Sequence, residues 1–300
     1  MTTLSTREQA VPATGTALAP LPGAAVRAPR TRRRAPARVL PVLVAGLLVL
    51  AAVAPQALTP HDPYAVDPAH AFTGPSLQHW FGTDQSGRDV LTRVVYGARQ
   101  SLLTGALATA VGVGSGLVLG LLAGLGGRWA DAVVSRGLEV LFAFPGLVLA
   151  LLFIAVFGTG VLTSAIAVGI GTAPGYARMF RGQALVVSSA GYVEAARALG
   201  HPARRILTHT VLPNVVRPLL VLATLGLGQS VVWAASLSFL GLGAQPPAAE
   251  WGAMLADSRD YVSVAWWLPA FPGLLITLTA LVSTVVGRQM RAGADARSPR

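Results

Sequence analysis

Five histidines, His61, His70, His79, His201 and His209, are the first side chains that could bind a metal or move a proton. They form neither a His-x-x-Glu-His nor a His-Glu-x-x-His pair. The first three are spaced too widely for one helical face, so no zinc site is expected. Ser115 stands in Gly112-Val113-Gly114-Ser115-Gly116, which superficially suggests an intramembrane serine hydrolase. No histidine lies in any other long apolar block to serve as its base. The chain has no cysteine, which excludes disulfides, thiolate metal sites and a cysteine nucleophile. All 23 basic residues are arginine. Without lysine there is no Walker A loop, Schiff base or lysine general base. Only Glu139 and Arg178 come close to the apolar blocks. Proton- or sodium-coupled carriers keep ionisable groups at mid-membrane depth, so the energy source is expected on another chain.

The elements that must position these residues are membrane helices. Of 300 residues, 53% are hydrophobic and 12% charged, half the charge of an ordinary soluble domain. The mean hydropathy is +0.60. Six candidate spans lie near 39–58, 102–125, 138–158, 161–178, 216–242 and 264–287. Residues 1–38 hold five prolines, seven arginines and no aromatic residue, and read as a disordered basic cytoplasmic tail. The run Arg30-Thr31-Arg32-Arg33-Arg34 reads as a topological anchor, in preference to a twin-arginine signal or a nucleic-acid arm. Ala52-Val53-Ala54 resembles a signal-peptidase site, but the apolar stretch before it is long for a signal peptide. With both termini inside, the cytoplasmic segments carry nineteen arginines and the outer ones four, Arg88, Arg93, Arg99 and Arg259. The net charge of +11 is therefore a topology signal, and nucleic acid is not expected as a partner.

Residues 59–100 form an outer segment whose second half reads as an amphipathic helix capped by Thr83 or Asp84. Val90, Leu91, Val94, Val95 and Ala98 share one face, and Asp84–Arg88 and Asp89–Arg93 make i,i+4 pairs on the other. Such a helix either lies along the outer interface, turning into the second span at Ser101, or is a plain solvated loop helix. Gly112, Gly116, Gly120 and Gly124 give the second span a small-residue ladder on which another helix can pack, so a leucine at Gly116 or Gly120 is expected to weaken assembly. Pro145 and Pro174 are expected to kink the third and fourth spans.

The most informative stretch is cytoplasmic, residues 190–214, within a five-helix core at 101–287. Glu194-Ala195-Ala196-Arg197-Ala198-Leu199-Gly200 is helix-forming up to a glycine suited to the position just past a helix end. Pro202 suits the first turn of a second helix over 203–210, and Val211-Leu212-Pro213-Asn214 leads into the fifth span. A rigid helix–turn–helix between two spans is suited to docking on a cytoplasmic partner.

Glu194-Ala195-Ala196, Gly200 and Leu212-Pro213 resemble the EAA loop of ABC importer permeases. Several segments are similar to the second, C-type permease subunit of the dipeptide/oligopeptide/nickel class. They are Phe81-Gly82-Thr83-Asp84-Gln85-Ser86-Gly87-Arg88-Asp89, Tyr96-Gly97-Ala98-Arg99-Gln100-Ser101-Leu102, Phe142-Ala143-Phe144-Pro145, Leu237-Ser238-Phe239-Leu240-Gly241-Leu242-Gly243 and Trp251-Gly252-Ala253-Met254-Leu255. The resemblance implies an all-α bundle of six transmembrane helices with type I importer architecture. It implies a second homologous permease, one or two cytoplasmic ATPases that use ATP and magnesium, and an extracytoplasmic solute-binding protein. No cofactor is expected on this chain. Within the ATPase-coupling loop Glu194, Ala195, Ala196 and Gly200 would carry the contact, Gly200 would set the turn, and Leu212-Pro213 would anchor the loop at the membrane. Asp84, Gly87, Arg88, Asp89 and Trp251 would face the binding protein or neighbouring outer loops.

The chain departs from the family pattern at Ala234, where an acid is usual, at Thr284-Val285-Val286-Gly287-Arg288 closing the last span, and at Thr210. The expected function is a cell-membrane permease subunit for di- or oligopeptides, with both termini and the 288–300 tail cytoplasmic. A nickel or small-solute importer, a secondary carrier and a Ser115 hydrolase are the alternatives.

Overall fold

The computed structural model describes residues 36–295. The basic tail, apart from its last three residues, and the final five residues of the C-terminal tail lie outside the described residues. Eleven α-helices are described: α1 Pro36–Val53, α2 Val90–Leu125, α3 Gly127–Phe142, α4 Gly146–Phe157, α5 Val161–Ser188, α6 Gly191–Ala198, α7 Ala203–Ile206, α8 Leu212–Val216, α9 Leu219–Phe239, α10 Trp251–Asp257 and α11 Trp267–Asp295. By length and composition α2, α9 and α11 can each cross a membrane alone. The α3–α4 pair is a fourth crossing if its two bent halves count as one. α1 contributes a shorter apolar helix, and α5 carries Arg178 and Arg181 in its second half.

Two sequence expectations about these elements are corrected. The third span is not one helix: α3 and α4 meet at 93° across residues 143–145. Pro145 supplies no amide hydrogen, and its fixed φ of −55° opens α4 as an N-cap, so the chain turns there. Pro174, by contrast, is buried within the single helix α5. The expected amphipathic helix is also different. It starts at Val90 and runs without a break into the span, so no turn occurs at Ser101.

The cap of α2 is Asp89, whose carboxylate accepts from the Thr92 amide and hydroxyl, both at 2.8 Å. Asp84 is engaged otherwise, accepting from the Ser86 and Arg88 amides in a tight turn. Gly87 closes that turn at φ +74°, where a Cβ would fall on the Asp67 carbonyl. A helix cannot pass through such a residue.

The glycine ladder packs inside the subunit. A Cβ on Gly112, Gly116, Gly120 or Gly124 would meet Thr172, Tyr176, Phe180 or Ala184 of α5 at 2.5–2.8 Å. Small residues recur on the α5 side, at Gly169, Ala173, Ala177 and Ala184, so the two backbones approach along their length. Ser115 is spent locally, its hydroxyl bonded to the Val111 carbonyl one turn back. Many large apolar side chains elsewhere face outward, among them Leu103, Val118, Leu152, Val156, Leu162 and Leu281. That much exposed hydrocarbon requires lipid or a partner protein.

Candidate functional site

The cytoplasmic loop is built from the turn at its tip. α6 ends at Leu199, where the Gly200 amide bonds the Arg197 carbonyl at 2.9 Å and the His201 amide bonds the Ala196 carbonyl at 3.2 Å. These are the two bonds of a Schellman motif, which needs its central residue in the left-handed region. Gly200 has φ +73°, and a Cβ there would meet nothing within 4 Å. The demand on this residue is therefore conformational and not spatial. Pro202 lies one position earlier than expected, as the N-cap of α7.

From Ala203 the chain stays helical to Val216, but with a widened π turn at Leu207–Val211. A proline ring clashes with the carbonyl four residues before it, and the wide turn sits just ahead of Pro213, where it relieves that clash. The Asn214 side-chain amide donates to the Thr210 carbonyl at 2.7 Å.

Packing then fixes the orientation of the loop. Val193, Ile206, Val211 and Val215 are buried in one cluster with Val113 of α2 and Phe180, Ala184 and Val187 of α5. Because Val193 faces inward, Glu194 and Ala195 face outward, Ala196 is half-buried and Gly200 is exposed. Tyr192 and Leu199 are also exposed, at 50% and 76%. Leu212 is half-buried and Pro213 exposed. The six loop residues thus stand on one protrusion fastened to α2 and α5. Beside it, Arg181 of α5 holds Asp131 of α3 through two bonds of 2.6 and 2.7 Å.

Of the two kinds of contact expected of the outer residues, the structure holds those with neighbouring outer segments. Asp84, Gly87, Arg88 and Trp251 are buried, and Asp89 is half-buried. Trp251 has no exposed surface, and its indole N–H donates to the Val94 carbonyl at 2.9 Å. Asp84 pairs with Arg88 at 2.6 Å and faces Arg93 at 3.6 Å. The paired partner of Arg93 is therefore Asp84 and not Asp89, because the helix starts too late for the expected i,i+4 pair.

Glu250 was missed from the sequence, and the interior position of Arg93 was missed with it. Glu250 is buried, caps α10 by accepting from the Gly252 and Ala253 amides, and receives the Ser101 hydroxyl. Its signal was an acid directly before a short helix. Arg93 is 2% exposed and donates to the Pro247 carbonyl. Burial pushes the Asp257 carboxyl nearby above the usual range, while Arg93 and Arg88 pull it down. The quoted outer segments pack on each other: Gly97 lies against the Ala249 carbonyl and Gly252 against Ala235 and Ser238. Of the departures, Ala234 is buried and Arg288 exposed.

Residues 116–297 match the family described as binding-protein-dependent transport system inner membrane component. The dipeptide transport system permease protein DppC of Alkalihalophilus pseudofirmus is 40% identical over 254 residues, covering 85% of this chain and 83% of that protein. The glutathione transport system permease protein GsiD of Pectobacterium atrosepticum is 42% identical over 258 residues, covering 84% and 86%. A chain of the inward-facing MetNI methionine ABC transporter superposes with a TM-score of 0.56 at 23% identity, covering 67% of this chain and 96% of that one, which speaks to fold alone. An all-helical membrane subunit with an exposed EAA-type loop and relatives this similar belongs to the binding-protein-dependent transport system inner membrane components: it is a permease subunit of an ABC importer.

Proposed function

We propose that the chain carries peptides inward as one half of a permease pair and takes its driving force from cytoplasmic ATPase subunits through residues 190–214. The observation that carries this is the division of the loop. Val193, Ile206, Val211 and Val215 fasten it to α2 and α5, and Glu194, Ala195 and Gly200 remain at the surface. A closing ATPase that held this surface would move both helices with it. ATP and magnesium would be used by that partner, and the solute would be delivered by an extracytoplasmic binding protein. The relatives support a peptide solute, since they are named for dipeptide and glutathione transport.

Six crossings, by α1, α2, the α3–α4 pair, α5, α9 and α11, put both termini in the cytoplasm and agree with the arginine distribution. Purification in mild detergent with mass spectrometry tests the assembly. A second permease and a P-loop ATPase should co-purify, and the ATPase should be lost on Glu194→Arg. A stable chain with no ATPase partner would refute the proposal. Uptake of labelled dipeptides against free amino acids and nickel then tests the solute.

A further inference from the structure

On the orientation proposed above, we infer that this chain binds the phosphate of an anionic phospholipid in a cavity at the inner membrane boundary. The cavity, of about 330 Å³, is walled by Met179 and Gln183 of α5, by Arg217 and Pro218 at the α8–α9 junction, and by Arg291 of α11. No acidic residue lines it. Neither arginine side chain makes an ion pair or hydrogen bond with any described residue. Arg181 on the same α5 is, in contrast, held bidentately by Asp131.

Arg217 and Arg291 are exposed cations on the wall of one cavity, and an anion seated there satisfies their forked donors. The N-terminus of α9 opens at the same place with Pro218 as its cap and no side-chain cap bond, adding positive potential. The remaining walls include Val221 and Leu222. Those apolar groups suit the glycerol and upper acyl chain of a lipid, whereas a free phosphate ion would leave them unfilled. The cavity joins the exit of the 190–214 loop to α11, so an occupant there restrains the loop.

The test uses the full complex in nanodiscs of phosphatidylcholine, with and without phosphatidylglycerol, and native mass spectrometry of retained lipid. The wild type should retain phosphatidylglycerol selectively. The double variant Arg217→Gln/Arg291→Gln should lose affinity roughly thirtyfold, at roughly fivefold per arginine. Arg217→Lys/Arg291→Lys keeps the charge without the fork and should retain more of the selectivity than the glutamine variant, which separates loss of the site from misassembly. Equal retention in the wild type and the glutamine variant overturns the inference. So does displacement of lipid by inorganic phosphate, or a photo-crosslink from position 179 to a protein and not to lipid. Retention is read on this chain whether or not an ATPase co-purifies, so failure here and failure of the importer proposal look different.

Discussion

Gly200 and Trp251 show how differently single residues can serve one molecule. At Gly200 a side chain would collide with nothing, yet φ +73° costs an L-residue about 1–2 kcal/mol. Gly200→Val is therefore expected to leave membrane abundance near normal, because the loop is fastened elsewhere, and to depress uptake severely. Gly200→Asn, which tolerates the left-handed region, should keep most of it. Gly200→Asp tests added charge at the exposed turn more than the turn itself, and is expected to abolish transport with folding intact. Immunoblots of membranes alongside uptake assays separate the two effects. Trp251 is the opposite case, a residue whose worth is burial. Trp251→Phe removes the donor to the Val94 carbonyl and should cost about 1–3 kcal/mol. Trp251→Ala should cost about 3–5 kcal/mol, seen as a lower thermal midpoint of the purified subunit. The sequence showed Gly200 because glycine before a proline-led helix has few other uses. It could not show that Trp251 is interior, since an outer tryptophan reads equally as a contact residue.

At the scale of elements, the period-four glycines were readable as a packing face but their partner was not. Nothing local says whether a ladder meets a helix of its own chain or of another. Because the partner is α5, the earlier expectation of weakened assembly is replaced: Gly120→Leu should destabilise the subunit itself. Its Cβ would already meet Phe180 Cβ at 2.6 Å and the Ala177 carbonyl at 2.7 Å. Reduced abundance of the chain expressed without its partners would show this, and normal abundance with selective loss of a partner would contradict it. The Asp131–Arg181 pair joins α3 to α5 with each side chain about one-third exposed, 33% and 34%. A double-mutant cycle with Asp131→Asn and Arg181→Gln should therefore return no more than about 1 kcal/mol. The break at Pro145 was half legible. A proline marks a kink, but a bend of 93° depends on what the two halves pack against.

For the whole molecule, the membrane class was legible from apolar blocks and from the asymmetry of arginine, both of which are additive properties of the chain. The outer segments were not, because Arg93, Trp251 and Glu250 acquire partners only when residues some 150 positions apart meet, as Ser101 and Glu250 do. The outer motif segments pack against one another, whereas Phe142-Ala143-Phe144-Pro145 and the loop residues Glu194, Ala195, Gly200 and Pro213 stay exposed. On the coupling proposed above, the partner-facing chemistry lies at residues 190–214. The chain contains no cysteine, so Ala195→Cys introduces a unique thiol on the exposed face of α6. In membranes holding the whole importer, a short cross-linker with one thiol-reactive and one photoreactive end should join position 195 to the P-loop ATPase subunit. Ala184→Cys, buried against Gly124, should give no product. An Ala195→Cys thiol that reacts with a soluble maleimide yet never cross-links to an ATPase, in a complex that still transports, would contradict the coupling role of the loop.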